Sequence, residues 1–204
     1  MADAVTIAVM AKAPIAGLAK TRLIPALGAT GAAALAARFI EHTVRTACAA
    51  ALGPVTLWTS PDDSHPLFQT LYRQSGVTLA RQPDGDLGER MLAAVAAGPG
   101  AALVIGTDCP ALTVTHLRAA AAALRRHDAV LIPTDDGGYV LIGMRAPQPA
   151  LFSDMAWSTS SVMQETRQRL RANALAWHEL DTLWDVDTPA DLDRLRREHP
   201  QLLG

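Results

Sequence analysis

Ala101-Ala102-Leu103-Val104-Ile105-Gly106-Thr107-Asp108-Cys109-Pro110 is the stretch on which the reading of this chain turns. An uncharged, mostly apolar run ends on one carboxylate. Pro110 follows two positions later and has no backbone N–H to continue a hydrogen-bond ladder. The run therefore reads as a buried strand with Asp108 at its carboxyl end. In an open α/β sheet ligands bind outside that edge, and a carboxylate there can hold a divalent cation against a phosphate group. Taken alone, Asp108 reads equally well as a helix cap or a turn residue ahead of Pro110.

Working outward, short apolar runs alternate with alanine-rich helical patterns. Strands are expected at 5–11, 55–59, 77–80, 101–108, 129–133, 139–144 and 175–180. Helices are expected at 30–52, ending at Gly53-Pro54, and at 64–74, 86–98, 113–126 and 161–172, with a last one opened by Thr188-Pro189. Asp86 with Glu89, and Ser161 with Gln164, have capping-box spacing. Thr188 is expected to cap the last helix with Pro189 at its first position. No helix separates 129–133 from 139–144, so that pair is expected to be antiparallel or a mixed edge. The alternation elsewhere implies an α/β protein with a mostly parallel sheet covered on both faces. No repeat or linker interrupts it, and residues 1–204 are expected to be one domain.

Composition narrows the function. Half of the 204 residues are hydrophobic, enough for a sizeable core. The net charge is -2 and Lys and Arg are scattered, unlike the basic footprint of a nucleic-acid binder. No stretch is expected to span a bilayer, and Asp3 without an early Lys or Arg does not resemble a signal peptide. Cys48 and Cys109 are too few for a disulfide framework. A cytoplasmic protein is expected. The histidines lack metal-ligand spacing such as HExxH, and GxSxG is missing.

Four loops carry the remaining candidates. Lys12, Lys20 and Arg22 follow the first strand, where backbone amides and cations can cradle phosphates. Only Gly17 is present there, so neither GxGxxG nor a P-loop fits. The loop also reads as a solvated basic turn. Gln82-Pro83-Asp84-Gly85-Asp86 could read a nucleobase through Gln82 or simply enter a helix. Asp135-Asp136-Gly137-Gly138-Tyr139 is either a tight hairpin or a substrate loop with close backbone approach at its glycines. Asp185 and Asp187 precede the last helix, and in an extended segment they point the same way.

Together, Met10-Ala11-Lys12-Ala13-Pro14, Gly17, Lys20-Thr21-Arg22-Leu23, Gln82, Gly85 to Met91, Gly106 to Pro110, Asp136 to Tyr139, Trp157-Ser158-Thr159 and Asp185 to Pro189 resemble a bacterial glycosyltransferase-A-like transferase family. Its members are associated with radical-SAM enzymes or described as arsenosugar-type glycosyltransferases. It is similar to 2-phospho-lactate guanylyltransferase and the molybdenum-cofactor guanylyltransferases. The resemblance implies a Rossmann-like, three-layer nucleotide-diphospho-sugar transferase fold with a nucleotide across the carboxyl edge of the sheet. It implies Mg2+ or Mn2+ on Asp108 and Asp187, with Lys20, Arg22 and Asp108 as the catalytic set. Ala11, Lys12, Gly17, Lys20, Arg22, Gln82 and Gly88 would face the nucleotide. Asp136, Gly137, Gly138, Tyr139, Trp157 and Ser158 would face the acceptor. Thr107-Asp108-Cys109 departs from a two-carboxylate DxD, and this favours nucleotidyl transfer.

The expected partners are an NTP or a nucleotide-sugar and a small acceptor, without nucleic acid or membrane; an oligomer is possible. The leading expectation is transfer of a nucleoside monophosphate to a phosphorylated acceptor. The alternatives are glycosyl transfer, with Asp135 or Asp136 as base, and a nucleotide-binding protein without turnover. A dinucleotide dehydrogenase lacks its glycine fingerprint.

Overall fold

The computed structural model describes residues 4–203. The chain runs β1 (Thr6–Lys12), α1 (Ile24–Ala50), β2 (Val55–Ser60), α2 (Pro66–Ser75), β3 (Thr78–Arg81), α3 (Leu87–Ala96) and β4 (Ala102–Ile105). It continues with α4 (Val114–Ala123), β5 (Ala129–Pro133), β6 (Tyr139–Met144), α5 (Val162–Ala172), β7 (Trp177–Glu179) and α6 (Asp191–Glu198). Among the described residues the seven strands form one sheet in the order β3-β2-β1-β4-β6-β5-β7. Only β6 runs against the rest, antiparallel to both β4 and β5. This is the mixed, mostly parallel α/β sheet expected.

The strands follow a period of two. Ile7, Val9 and Ala11 face a core shared with Ile40 and Val44 of α1, Phe68 of α2 and Leu117 of α4. Ala8, Ala102 and Val104 face a second core containing Met91 and Val95 of α3 and Met163 and Leu170 of α5. Both faces are thus sealed. A smaller cluster joins Leu35 and Phe39 of α1 to Leu192 and Leu195 of α6.

From β1 the chain passes to β2 on one side, whereas β4, which pairs with β1 on its other side, continues the sheet toward β6. Between β1 and β4 the winding reverses, and beyond their carboxyl ends lies the crevice that such a reversal leaves open. The antiparallel hairpin matters equally. Because β6 starts where β5 ends, the 134–138 turn reaches the same edge.

Several local expectations change. Helix α1 begins at Ile24 because the chain is helical on both sides of a break at Gly28 (φ 71°, ψ 164°), a conformation suited to glycine. The helical stretch Thr21–Ala50 is long and apolar enough to cross a membrane by length and composition, contrary to expectation. Its alanines give it that character, and Ile40, Val44 and Ala47 are core residues. Strand β4 stops at Ile105, so Asp108 lies in the loop beyond it rather than on the strand. The box at Asp86 and Glu89 forms as expected. The one at Ser161 and Gln164 does not, since Ser161 is itself helical and its hydroxyl pairs with Thr159. Thr188 does not cap α6. The helix starts at Asp191, whose Oδ2 instead accepts from the Asp187 and Thr188 amides and the Thr188 hydroxyl.

Candidate active site

The crevice is a cleft of about 540 Å³ at the carboxyl edge. Three separate segments build its charged wall. The loop after β1 is folded on itself, with the Leu18 and Ala19 amides both donating to the Ile15 carbonyl at 3.0 Å. It delivers Lys20 in the left-handed conformation (φ 47°, ψ 47°), which costs a non-glycine residue about 1–2 kcal/mol. The loop after β4 supplies Asp108. The segment ahead of α6 supplies Asp187 and is pinned in place by the Val186 amide, which donates to the Asp108 carbonyl at 2.9 Å.

Lys20 holds the three together. Its Nζ lies 2.9 Å from Asp108 Oδ1 and 3.0 Å from Asp187 Oδ1, and it donates to the Val186 carbonyl at 2.5 Å. Its side chain is only 7% exposed. Burial alone would lower its pKa, but the charges of Asp108 and then Asp187 outweigh burial and hold it above the ordinary lysine value. Arg22 reaches Asp187 Oδ2 at 3.5 Å from a largely exposed position. Lys12, also exposed, lines the cleft as well.

The opposite wall is built by the 134–138 turn and by Trp157 and Ser158. Asp136 Oδ1 accepts from the Thr134 hydroxyl at 2.6 Å and from the Gly138 amide at 3.0 Å, which fixes the turn. Gly137 (φ 89°) rests against the Ser160 carbonyl so closely that no side chain fits. Its own carbonyl accepts from the Met163 amide at 2.8 Å. Ser158 takes a positive φ of 63°. Trp157 stacks on Phe152 with ring centroids 6.5 Å apart. A Cβ on Gly88 would come within 2.7 Å of the indole. Burial pushes the Tyr139 phenol well above its usual pKa.

Of the residues expected here, Lys12, Lys20, Arg22, Asp108, Asp187, Asp136, Gly138, Tyr139, Trp157 and Ser158 line the cleft. Gly88 and Gly137 stand behind its wall as close-packing positions. Ala11 is buried in the core, and Gly17 lies on the outside of its loop. Gln82 is outside the cleft lining, and its amide nitrogen donates to the carbonyls of Ala11 (3.3 Å) and Trp58 (2.8 Å), tying β1 and β2 together. Asp135 faces away and pairs with Arg194 at 3.2 Å, which leaves Asp136 as the carboxylate of that turn in the cleft.

Sequence reasoning passed over the apolar lips of the cleft. Leu18 (56% exposed) and Leu87 (44% exposed) both line it. The available signal was a leucine in a turn of glycine and lysine, and another at the first position of a helix. Asp185, read only as a partner of Asp187, belongs to the same acidic edge. Its pKa is pushed up to about 6, first by burial and then by the charges of Asp136, Asp187 and Asp108.

Among the described residues no three His, Cys, Asp or Glu side chains gather closely enough to enclose a metal ion. Asp108 and Asp187 nevertheless fit a partial site. Each has one oxygen on Lys20, while among the described residues Asp108 Oδ2 makes no hydrogen bond and Asp187 Oδ2 meets only Arg22. Mg2+ is commonly held in this way, by one or two carboxylates completed by substrate phosphates and water.

Sheet order and site position define the class: this is the fold of the nucleotide-diphospho-sugar transferases and nucleotidyltransferases. A candidate nucleotide-diphospho-sugar transferase from Desulfovibrio desulfuricans G20 is 26% identical, with a TM-score of 0.82 over 97% of this chain and 96% of that one. A nucleotidyl transferase from Methanothermobacter thermautotroptrophicus gives 0.64 at 17% identity over 98% and 99%. CMP:2-keto-3-deoxy-manno-octonic acid synthetase complexed with CTP gives 0.63 at 14% identity over 98% and 99%. No curated protein matches the chain in sequence. The chain belongs to DUF2064, described as an uncharacterized protein conserved in bacteria, whose profile matches residues 43–159. That span contains Asp108, the 134–138 turn and Trp157; Lys20, Arg22 and Asp187 lie outside it.

Proposed function

We propose that the chain is a metal-dependent, nucleotide-dependent transferase that moves a nucleoside monophosphate from an NTP to a small phosphorylated acceptor. The observation that carries this reading is the convergence of Lys20, Arg22, Asp108 and Asp187 at the β1/β4 reversal. The fold shared with nucleotidyl and nucleotide-sugar transferases supports the general activity. The finer resemblance, to radical-SAM-associated transferases and the guanylyltransferases, belongs to the same proposal.

Lys12 and Arg22 bind the polyphosphate and offset charge on the leaving pyrophosphate. Asp108 and Asp187 would hold Mg2+ or Mn2+, and the bound ion would supply charge neutralisation at the transferring phosphate. An acceptor phosphate oxygen forms the new bond to the α-phosphorus as the bond to pyrophosphate breaks. That oxygen is already ionised, so no protein base is required. Incubation with each NTP, Mg2+ and phosphorylated acids, scored by pyrophosphate release, tests this. Full activity in Asp108→Ala would end the metal assignment.

One observation favours a second reading, glycosyl transfer from a nucleotide-diphospho-sugar. The acceptor wall of Asp136, Gly138, Tyr139, Trp157 and Ser158 carries a carboxylate and no Lys or Arg. A hydroxyl acceptor suits that wall better than a phosphate, with Asp136 as base. Slow hydrolysis of UDP- or GDP-sugars without acceptor would select this reading, and pyrophosphate release from an NTP the first.

A further inference from the structure

We infer that Lys20 is a positioning residue whose ammonium draws Asp108 and Asp187 together and makes divalent-cation binding conditional on nucleotide phosphates. The inference rests on the nucleotide reading above and deepens it. An ammonium has three N–H donors, and here three acceptors meet them: Asp108 Oδ1, Asp187 Oδ1 and the Val186 carbonyl. Lys20 cannot turn an N–H to a phosphate in the cleft without releasing one of these acceptors. It holds this pose from a left-handed backbone, which persists only where the surroundings over-determine it.

The carboxylates keep an outward side, with Asp108 48% and Asp187 39% exposed. Their two negative charges face the single charge of Lys20 and that of Arg22, 3.5 Å from Asp187. Asp136 and Asp185 add negative charge to the same edge, so what a cation arriving alone lacks is free ligands, the two carboxylates being already half engaged. A polyphosphate changes that condition. It brings negative charge and oxygen ligands, and it offers Arg22, whose side chain is 66% exposed, a new partner. Cation and nucleotide then strengthen each other's binding, by the same factor in each direction.

Manganese titration by calorimetry, without nucleotide, provides the test on wild type, Lys20→Met and Lys20→Arg. Lys20→Met should bind Mn2+ at least tenfold more tightly than wild type, and Lys20→Arg should stay weak. In thermal-shift measurements with each ribonucleoside triphosphate, wild type should gain more from NTP plus Mn2+ than from the two separate gains combined. Lys20→Met should lose that excess. If Lys20→Met folds poorly, Mn2+ alone should restore its Tm to a degree wild type does not show. Mn2+ binding to Lys20→Met no tighter than to wild type, or no rescue of a poorly folded variant, overturns the positioning role. Failure of wild type to bind any NTP overturns the nucleotide reading and with it the coupling, while the Mn2+-only arm still judges the clamp.

Discussion

Two ionic clusters sit at different places on this sheet and serve opposite ends. Arg167 grips Glu179 with two bonds, Nε to Oε1 at 2.9 Å and Nη2 to Oε2 at 2.8 Å. The Trp177 indole adds a third bond to Glu179 at 2.9 Å. Everything there comes from α5 and the strand that follows it, and both carboxylate oxygens are used. The Lys20 cluster joins residues 20, 108 and 187, sits on a left-handed backbone and leaves Asp108 Oδ2 without a partner among the described residues. A fork–fork pair made by chain neighbours fastens a local unit. A pair assembled from distant segments, strained and incompletely satisfied, has the marks of a site.

The contrast can be broken by experiment. Asp108→Asn should lower transfer about 100- to 1,000-fold, as loss of a charge-stabilising group does, while circular dichroism still shows a cooperative fold; retained activity would reduce the cluster to a fastening. Gly137→Ala, where a side chain must displace the Ser160 backbone, should cost about 2 kcal/mol in urea unfolding and weaken acceptor binding more than nucleotide binding. Glu179→Gln should leave transfer unchanged and cost about 1 kcal/mol or less at pH 7, the pair being partly exposed.

That last effect has a defined pH dependence. The Arg167 bonds hold the Glu179 pKa below its ordinary 4.5, against the opposing effect of burial. Glu179 therefore contributes fully above about pH 4.5 and loses that contribution as pH falls through its lower value in the fold. Wild type and Glu179→Gln should differ in Tm at pH 7 and converge at the acid end. A constant difference across that range would show that packing, not charge, holds the β7 edge.

How much of this could be read beforehand depends on chain distance. β5 and β6 have the bounds expected from their apolar runs, and Asp86 and Glu89 cap each other as their spacing predicts. These are local effects, decided by a few consecutive side chains. Thr188 failed as a cap because its hydroxyl donates to the Asp191 carboxylate rather than accepting from a helix amide. Gln82 had a polar side chain that sequence could not orient, and two strand-end carbonyls claimed its amide nitrogen. Asp108, Asp187 and the first loop were each legible as candidates. That Lys20 would meet the two carboxylates rather than stand beside them was not, because it depends on where the sheet brings three loops.

The bond from the Val186 amide to the Asp108 carbonyl and the reach of Lys20 to Asp187 tie the segment ahead of α6 to the loops after β4 and β1. During synthesis, all six strands that precede β7 exist before residues 186 and 187 do. A ribosome can thus release most of the sheet for folding while the charged wall of the cleft still lacks Asp187. A chain cut short ahead of Trp184 would keep all seven strands yet lose Val186, Leu192 and Leu195 from the cluster on α1 and Asp187 from the cleft.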